Sequence, residues 1–159
     1  MVKGKFLTPQ DPELQDCFEI RKKVFIDEQQ IDPDLEYDEW DRFAKFAAVC
    51  EGDKIVGTGR IIFDGETYKI GRIAVLKEVR GRGYGDFIVR MMIDNAFSNG
   101  AKEVHIDAQK HALGFYEKIG FKVCGDEHLD AGIPHFPMVI TRADFSTPCG
   151  HCKAGDYHK

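Results

Sequence analysis

A glycine-rich segment carries the residue types in this chain that are best suited to binding a phosphate group. Because glycine has no Cβ, several backbone N–H groups can approach one point on a ligand. The helix predicted to follow adds partial positive charge at its N-terminus, and two guanidinium groups add more. The segment therefore predicts a site for a phosphate or pyrophosphate. It consists of Arg80, Gly81, Arg82, Gly83, Tyr84 and Gly85.

This glycine loop does not match the common nucleotide-binding signatures. It lacks the Gly-Lys-Ser/Thr ending of a P-loop, so a Mg²⁺-bound triphosphate is not expected. Its spacing also differs from the dinucleotide fingerprint. The alternatives are a flexible turn and an arginine-glycine segment of the RNA-binding kind. The segment occurs once, and the net charge of −5 disfavours a nucleic-acid partner.

Composition predicts one soluble, cytoplasmic domain. The chain has 159 residues, of which 43% are hydrophobic, and this is enough to bury a core without disulfides. We expect no secretory leader and no membrane partner, because no apolar run approaches the ~20 residues that a bilayer requires. Cys17, Cys50 and Cys124 lie in apolar contexts, which predicts buried free thiols.

The order of predicted elements indicates an α/β fold with a mixed, mostly antiparallel sheet and helices on both faces. Asp11 is the expected N-cap of the first helix, with Pro12 at its first position. We expect a domain over residues 1–145 and a tail over 146–159. The predicted strands are 2–8, 43–50, 55–63, a third hairpin strand ending at Val75, 103–108, 121–125 and 136–142. The predicted helices are 11–29, one from the glycine loop to about Asn99, and 110–119, with an acidic loop over 32–41.

A second segment combines a strand end at Gln109 with a short amphipathic helix. Its apolar stripe has the i, i+3, i+4, i+7 spacing of a helix, and Gly120 is expected to end it. On periodicity alone Tyr116 belongs to the core. The stripe consists of Ala112, Phe115, Tyr116 and Ile119.

Together the two segments resemble the GNAT acetyltransferase superfamily. The resemblance rests on the Arg-Gly-Arg-Gly-Tyr-Gly string at 80–85, on Ala-Leu-Gly-Phe-Tyr-Glu-Lys-Ile-Gly-Phe at 112–121, and on the interval between them. Residues 21–29 and 132–135 resemble a narrower group, the ElaA-like acetyltransferases. The resemblance implies a GNAT-like fold and acetyl-CoA as the acyl donor.

The resemblance to the GNAT superfamily also implies which residues bind the coenzyme. The glycine loop would bind the pyrophosphate, and the backbone of the strand before it would run along the pantetheine arm. A backbone N–H at the end of that strand would polarise the thioester carbonyl, a contribution of about 3 kcal/mol. Lys118 lies either near the phosphates or in solvent. The implied coenzyme-binding residues are Ile73, Ala74, Val75, Arg80, Gly81, Arg82, Gly83, Tyr84, Gly85, Gln109, Phe115 and Lys118.

Acyl transfer to an amine needs a proton donor for the thiolate and a proton acceptor for the amine, whose pKa is ~10. The resemblance makes Tyr116 the general acid. Glu28 and His135 are the candidate catalytic residues on the acceptor side. No cysteine or serine lies in an activated motif, which favours direct transfer in a ternary complex. Further candidate bases are Asp38, Asp41 and His111.

The acidic run from Glu36 to Asp41 has two interpretations. It attracts a cationic acceptor, with Tyr37 and Trp40 adding cation–π contact, or it is a solvated loop.

Two function classes follow. The first is an N-acetyltransferase acting on a small-molecule or peptide amine, and the second is a non-catalytic acyl-CoA binding module. A hydrophobic late strand would allow a homodimer, although nothing in the sequence requires one. No metal is expected in the catalytic site.

The tail contains Cys149-Gly150-His151-Cys152, with His158 further on. The string resembles the redox centre of protein disulfide isomerases, but only seven residues follow it, so the surrounding thioredoxin-like fold is missing. The interpretations are a loosely packed tail, a metal site and a redox site.

Overall fold

The computed structural model describes residues 1–145, so the predicted tail and its cysteines lie outside the described residues. The strands are β1 (Val2–Leu7), β2 (Lys45–Glu51), β3 (Lys54–Phe63), β4 (Tyr68–Val75), β5 (Glu103–Gln109), β6 (Lys122–Val123), β7 (His128–Asp130) and β8 (Ile133–Thr141). The helices are α1 (Leu14–Arg21), a π-helix (Lys22–Glu28) continuing it, α2 (Pro33–Glu36), α3 (Tyr84–Ser98) and α4 (Leu113–Ile119). Short 3₁₀ turns cover Glu39–Arg42, Lys77–Val79 and Lys110–Ala112.

The strands form one sheet in the order β1-β2-β3-β4-β5-β8-β6, with β7 also paired to β8. Within residues 1–145, β4 and β5 are the one parallel pair, and the other neighbours are antiparallel. The parallel pair has α3 as its crossover, as a βαβ connection requires. The predicted mixed, mostly antiparallel sheet is confirmed.

Strand β3 shows how the sheet is covered on both faces. A Cβ at Gly59 would lie 2.6 Å from Met92, so this glycine lets α3 approach the sheet closely. Thr58 points to the opposite face, where it meets Cys17 of α1. The predicted arrangement of helices on both faces is therefore confirmed.

Helix α3 lies in the centre of the core. It is apolar around most of its circumference, which explains its depth. With 15 residues it is the longest helix of residues 1–145, and none there is long and apolar enough to cross a membrane. Its fully buried residues are Ile88, Val89, Met91, Met92, Ile93 and Ala96.

The first helix differs from the prediction in two ways. Asp11 is not its N-cap, because the Asp11 carboxylate accepts the Thr8 backbone N–H at 2.7 Å and closes the preceding turn instead. The α-helix begins at Leu14, and the segment Lys22–Glu28 is a π-helix. Such wider turns often occur at functional sites.

In the C-terminal half, one strand was not predicted and one cysteine was placed wrongly. The strand β7 was missed, because its three exposed residues have no alternating apolar pattern. Cys124 is exposed rather than buried, whereas Cys17 and Cys50 are buried as predicted. Burial raises the pKa of Cys17 to about 11, so this thiol stays protonated and unreactive near neutral pH.

Candidate functional site

The central opening of the sheet arises where β4 and β5 diverge. The two strands pair from Tyr68 with Val104 to Ile70 with Ile106, although β4 continues to Val75 and β5 to Gln109. A bulge in β4 accompanies the divergence, since Arg72 has φ +52 and the register with β3 shifts opposite it. The last residues of β4 therefore have a free edge toward β5.

A cleft of about 580 Å³ opens at this divergence. It is bordered by the bulge in β4, the C-terminal half of β5, the 3₁₀ turn before α4 together with Tyr116 of α4, and the strands β7 and β8. Four of the predicted coenzyme-binding and catalytic residues line it, namely Ile73, Gln109, Tyr116 and His135, and the further candidate base His111 lines it too. Gln109 donates through its amide nitrogen to Gln29 Oε1 at 2.9 Å, which connects β5 to the end of the π-helix.

The glycine loop presents a row of unpaired backbone amides. From Gly81 to Asp86, no acceptor within residues 1–145 receives the backbone N–H, and no side chain caps α3. The first bonded amide is that of Phe87, which donates to Gly83 O at 3.0 Å. Gly81 and Gly83 adopt φ values of +85 and +83, which only glycine adopts at low cost. This arrangement can bind an anion at the helix N-terminus.

The two arginines of the loop are already paired with carboxylates. Arg80 forms a bidentate pair with Glu28, with N–O distances of 2.8 and 2.9 Å, and its Nε donates to Val75 O at 3.0 Å. Arg82 and the Tyr84 hydroxyl both donate to Glu51 Oε2. The loop is thus attached to β4, to the π-helix and to β2 before any ligand binds.

Glu28 lies beside the loop and not among the residues that line the cleft. The hydrogen bonds from Arg80 hold the pKa of this carboxyl below its usual range. A carboxylate with a lowered pKa is a weak base. The structure therefore brings Glu28 together with the predicted coenzyme-binding residues and not with His135.

Tyr116 lies on the buried side of α4 and also borders the cleft. Its ring packs edge-on against Phe115 and Phe121, with centroid distances of 5.0 and 5.8 Å. Within residues 1–145 its hydroxyl has no hydrogen-bond partner, and burial raises its pKa. Tyr116 is therefore a neutral phenol whose donor is available to a ligand.

Helix α4 also joins the two predicted segments. A Cβ at Gly85 would meet the Phe115 ring at 3.6 Å, so the start of α3 and the start of α4 are neighbours. Lys118 is exposed on α4, and Ala74 is buried in the sheet between the partly exposed Ile73 and Val75. The side chains of Ile73 and Val75 have no predicted role, because only backbone groups of β4 are predicted to contact the coenzyme.

His135 lies on β8, opposite Gln109 of β5 and His128 of β7. Its Nδ1–H donates to Ile133 O at 2.7 Å, which leaves Nε2 as the ring nitrogen without a partner within residues 1–145. Several polar residues that line the same cleft were not predicted from the sequence, although the alternation of β5 places Asp107 and Gln109 on one face. The missed residues are Arg60, Arg72, Asp107, His128 and Asp130.

Three carboxylates of the acidic run are paired with arginines. Glu36 is buried and accepts from Arg21 at 2.8 Å. Asp41 accepts from Arg21 at 2.8 Å and from Arg60 at 3.0 Å. Asp38 accepts from Arg60 at 2.6 Å. Neither interpretation describes the whole run, because arginines from α1, β3 and β4 pair with three of its carboxylates while Glu39 and Trp40 are exposed.

Replacing Arg21 with lysine should lower the free energy of unfolding by about 2 kcal/mol. The guanidinium reaches Glu36 through Nε and Nη2 and Asp41 through Nη1, and a single ammonium cannot satisfy all of these buried acceptors. Urea unfolding of both proteins measures the difference. The matched control is Arg42→Lys at an exposed position, for which we expect a change below about 0.5 kcal/mol. Equal stability of the two variants would contradict a structural role for the Arg21 network.

Comparison with known proteins decides the family. The family model described as an acetyltransferase (GNAT) domain matches residues 11–142. The chain belongs to the GNAT acetyltransferase family. This GNAT protein is an acyl-CoA-dependent acyltransferase, as the sequence predicted.

Similar proteins agree with this assignment. The GNAT chain is 37% identical over 130 residues to the Uncharacterized N-acetyltransferase YjcF of Bacillus subtilis (strain 168), covering 81% of this chain and 93% of that one. Its fold is similar to Escherichia coli ElaA, with a TM-score of 0.79, 23% identity, and coverage of 88% of this chain and 99% of that one. It is also similar to a GNAT family acetyltransferase from Elizabethkingia anophelis with acetyl-CoA bound, with a TM-score of 0.66, 18% identity, and coverage of 88% and 97%.

Proposed function

We propose that this enzyme transfers the acetyl group of acetyl-CoA to a primary amine by direct attack in a ternary complex. The observation that carries the proposal is the row of unpaired amides from Gly81 to Asp86 at the start of α3. Free amides and the helix dipole favour a pyrophosphate at this point. The related acetyltransferase from Elizabethkingia anophelis has acetyl-CoA bound, which supports acetyl-CoA as the donor.

The donor would lie with its pyrophosphate on the glycine loop and its pantetheine arm along β4. Because β5 diverges after Ile106, backbone groups of Ile73, Ala74 and Val75 have no partner strand on that side. The amides of a pantetheine arm can take the place of the missing strand. Binding of the pyrophosphate would compete with Glu28 for Arg80 and with Glu51 for Arg82, while Lys118 and Gln109 remain further candidate contacts.

Tyr116 would donate its hydroxyl hydrogen to the sulfur as negative charge develops on the coenzyme. Its raised pKa lies above that of a thiol, so complete proton transfer is uphill and a hydrogen bond to the thiolate is the larger contribution. A neutral phenol in a buried position suits that task.

The acceptor amine would enter from the β7–β8 side of the cleft. Nε2 of His135 is an available proton acceptor there, since Nδ1 is used by Ile133 O. Glu28 is less suited, because its bidentate pair with Arg80 lowers its basicity. We therefore propose that His135 accepts the proton of the amine. Glu28 instead holds the glycine loop in place through Arg80.

The test is release of coenzyme A from acetyl-CoA across a panel of primary amines, including alkylamines, amino acids and peptides. We expect turnover with at least one acceptor and none without an amine. Intersecting initial-rate lines are expected for a ternary complex. Parallel lines would contradict direct transfer. Tight donor binding without turnover on any amine would contradict the enzyme and favour a non-catalytic acyl-CoA binding module.

A further inference from the structure

Three side chains from three adjacent strands meet at one end of the cleft. They are Asp107 of β5, Asp130 of β7 and His135 of β8. One possible ligand atom from each lies within 4.8 Å of those of the other two. Strand β8 lies between β5 and β7, and all three side chains border the cleft. The cluster therefore combines two carboxylates and one imidazole around an accessible point.

Two members of this cluster are held by neighbouring groups. His135 is buried, and its Nδ1–H donates to Ile133 O at 2.7 Å, which leaves Nε2 as the nitrogen for a ligand. His128 Nε2 lies 2.8 Å from Asp107 Oδ2 and donates to it, which leaves the other oxygen of Asp107 free. Histidine and carboxylate ligands of metal sites are oriented by such outer hydrogen bonds.

Asp130 is the less compensated carboxylate of the cluster. Within residues 1–145 it forms no ion pair or side-chain hydrogen bond, whereas Asp107 is paired with His128. The charge of Asp130 also helps to raise the pKa of His128. The like charges of Asp107 and Asp130 repel each other, and a bound cation would relieve that repulsion. The arginines near the cleft are paired with Glu36, Asp38 and Asp41, so they do not supply that cation.

We propose that Asp107, Asp130 and His135 bind one divalent first-row transition-metal ion, with Zn²⁺ as the chief candidate. Two oxygens and one imidazole nitrogen are a donor set for such ions, and water would complete the coordination on the open side of the cleft. Mg²⁺ and Ca²⁺ are disfavoured because they prefer oxygen ligands alone. The site departs from the sequence-based expectation of no metal. It depends on the geometry of the cluster. A metal ion on Nε2 of His135 would compete with the amine proton for that nitrogen, so the two roles belong to different states of the protein.

The test is Co²⁺ and Zn²⁺ binding to the chelator-treated full-length chain. Because Cys149 and Cys152 of the tail are also metal ligands by type, both are replaced by serine in every variant. Co²⁺ absorption and Zn²⁺ calorimetry should report one equivalent. His135→Ala and Asp130→Asn should each lower the affinity about tenfold or more. The matched control is His111→Ala, which removes a histidine that lines the same cleft outside the cluster and should leave the affinity unchanged.

Two results would overturn the proposed metal site. One is that the serine-substituted chain binds no metal, and the other is that binding survives both His135→Ala and Asp130→Asn. Urea unfolding checks that each variant is folded. If His135→Ala fails to fold, Asp130→Asn at an exposed position carries the test. Metal binding by the unsubstituted cluster in a chain that transfers no acetyl group to any amine would overturn the proposed acetyltransferase function and leave the metal site intact.

Discussion

Gly83→Trp should weaken acetyl-CoA binding by about 1,000-fold or more, a loss of about 4 kcal/mol, while the chain still folds. Gly83 is the N-cap of α3 with φ +83, and no atom lies within 4 Å of where its Cβ would be. The protein therefore has room for an indole, but that indole would cover the amides that the pyrophosphate needs. The left-handed backbone adds a stability cost of roughly 1–2 kcal/mol. Calorimetry with acetyl-CoA measures the loss.

The matched control for this prediction is Gly65→Trp. Gly65 has φ +96 and equally open surroundings, but it lies in the turn between β3 and β4, away from the loop. The control variant should show a similar loss of stability in urea and unchanged coenzyme affinity. If Gly83→Trp also binds acetyl-CoA with unchanged affinity, the phosphate site lies elsewhere.

Tyr116→Phe should lower kcat by about 100- to 1,000-fold and leave the KM for acetyl-CoA nearly unchanged. The substitution keeps the ring that packs on Phe115 and Phe121 and removes only the hydroxyl. Because that hydroxyl has no partner within the described residues, its loss leaves no buried acceptor unsatisfied. The expected effect therefore falls on the developing thiolate and not on folding.

Tyr68→Phe is the control for the loss of a tyrosine hydroxyl. Tyr68 begins β4, stacks on Phe63 at 4.5 Å and does not line the cleft, so its kcat should equal that of the parent enzyme. An unaltered kcat for Tyr116→Phe would remove its role as proton donor. A raised KM with unaltered kcat would instead make Tyr116 a donor-binding residue.

The sequence predicted best those features that depend only on residues close together along the chain. Alternating glycines before an apolar helix predicted the loop and α3, and the structure confirms both. The antiparallel strands β2, β3 and β4 followed from short apolar runs and tight turns. The role of Tyr116 was ambiguous from the sequence, because residues of one apolar helical stripe can face either the core or a ligand cleft. The structure shows that Tyr116 is buried and also borders the cleft.

Pairings between distant residues were not predictable in the same way. Arg80 and Glu28 are 52 positions apart, and Arg72 reaches Asp38 across 34. Ion pairs of this kind depend on which strands and loops are neighbours, and nothing in the local pattern of an arginine or an aspartate states its partner. The same reason explains why the arginine partners of the acidic run were missed.

By itself, the sequence determined the family through the resemblance of two segments. It also determined the mixed sheet and the glycine loop before α3, because backbone conformation and hydrophobic periodicity are local properties. Tertiary structure alone decided that β4 and β5 diverge, that Glu28 holds Arg80, and that Asp107, Asp130 and His135 meet. These contacts join residues from strands that are neighbours in space but far apart along the chain. Their chemistry therefore exists only once the sheet has formed.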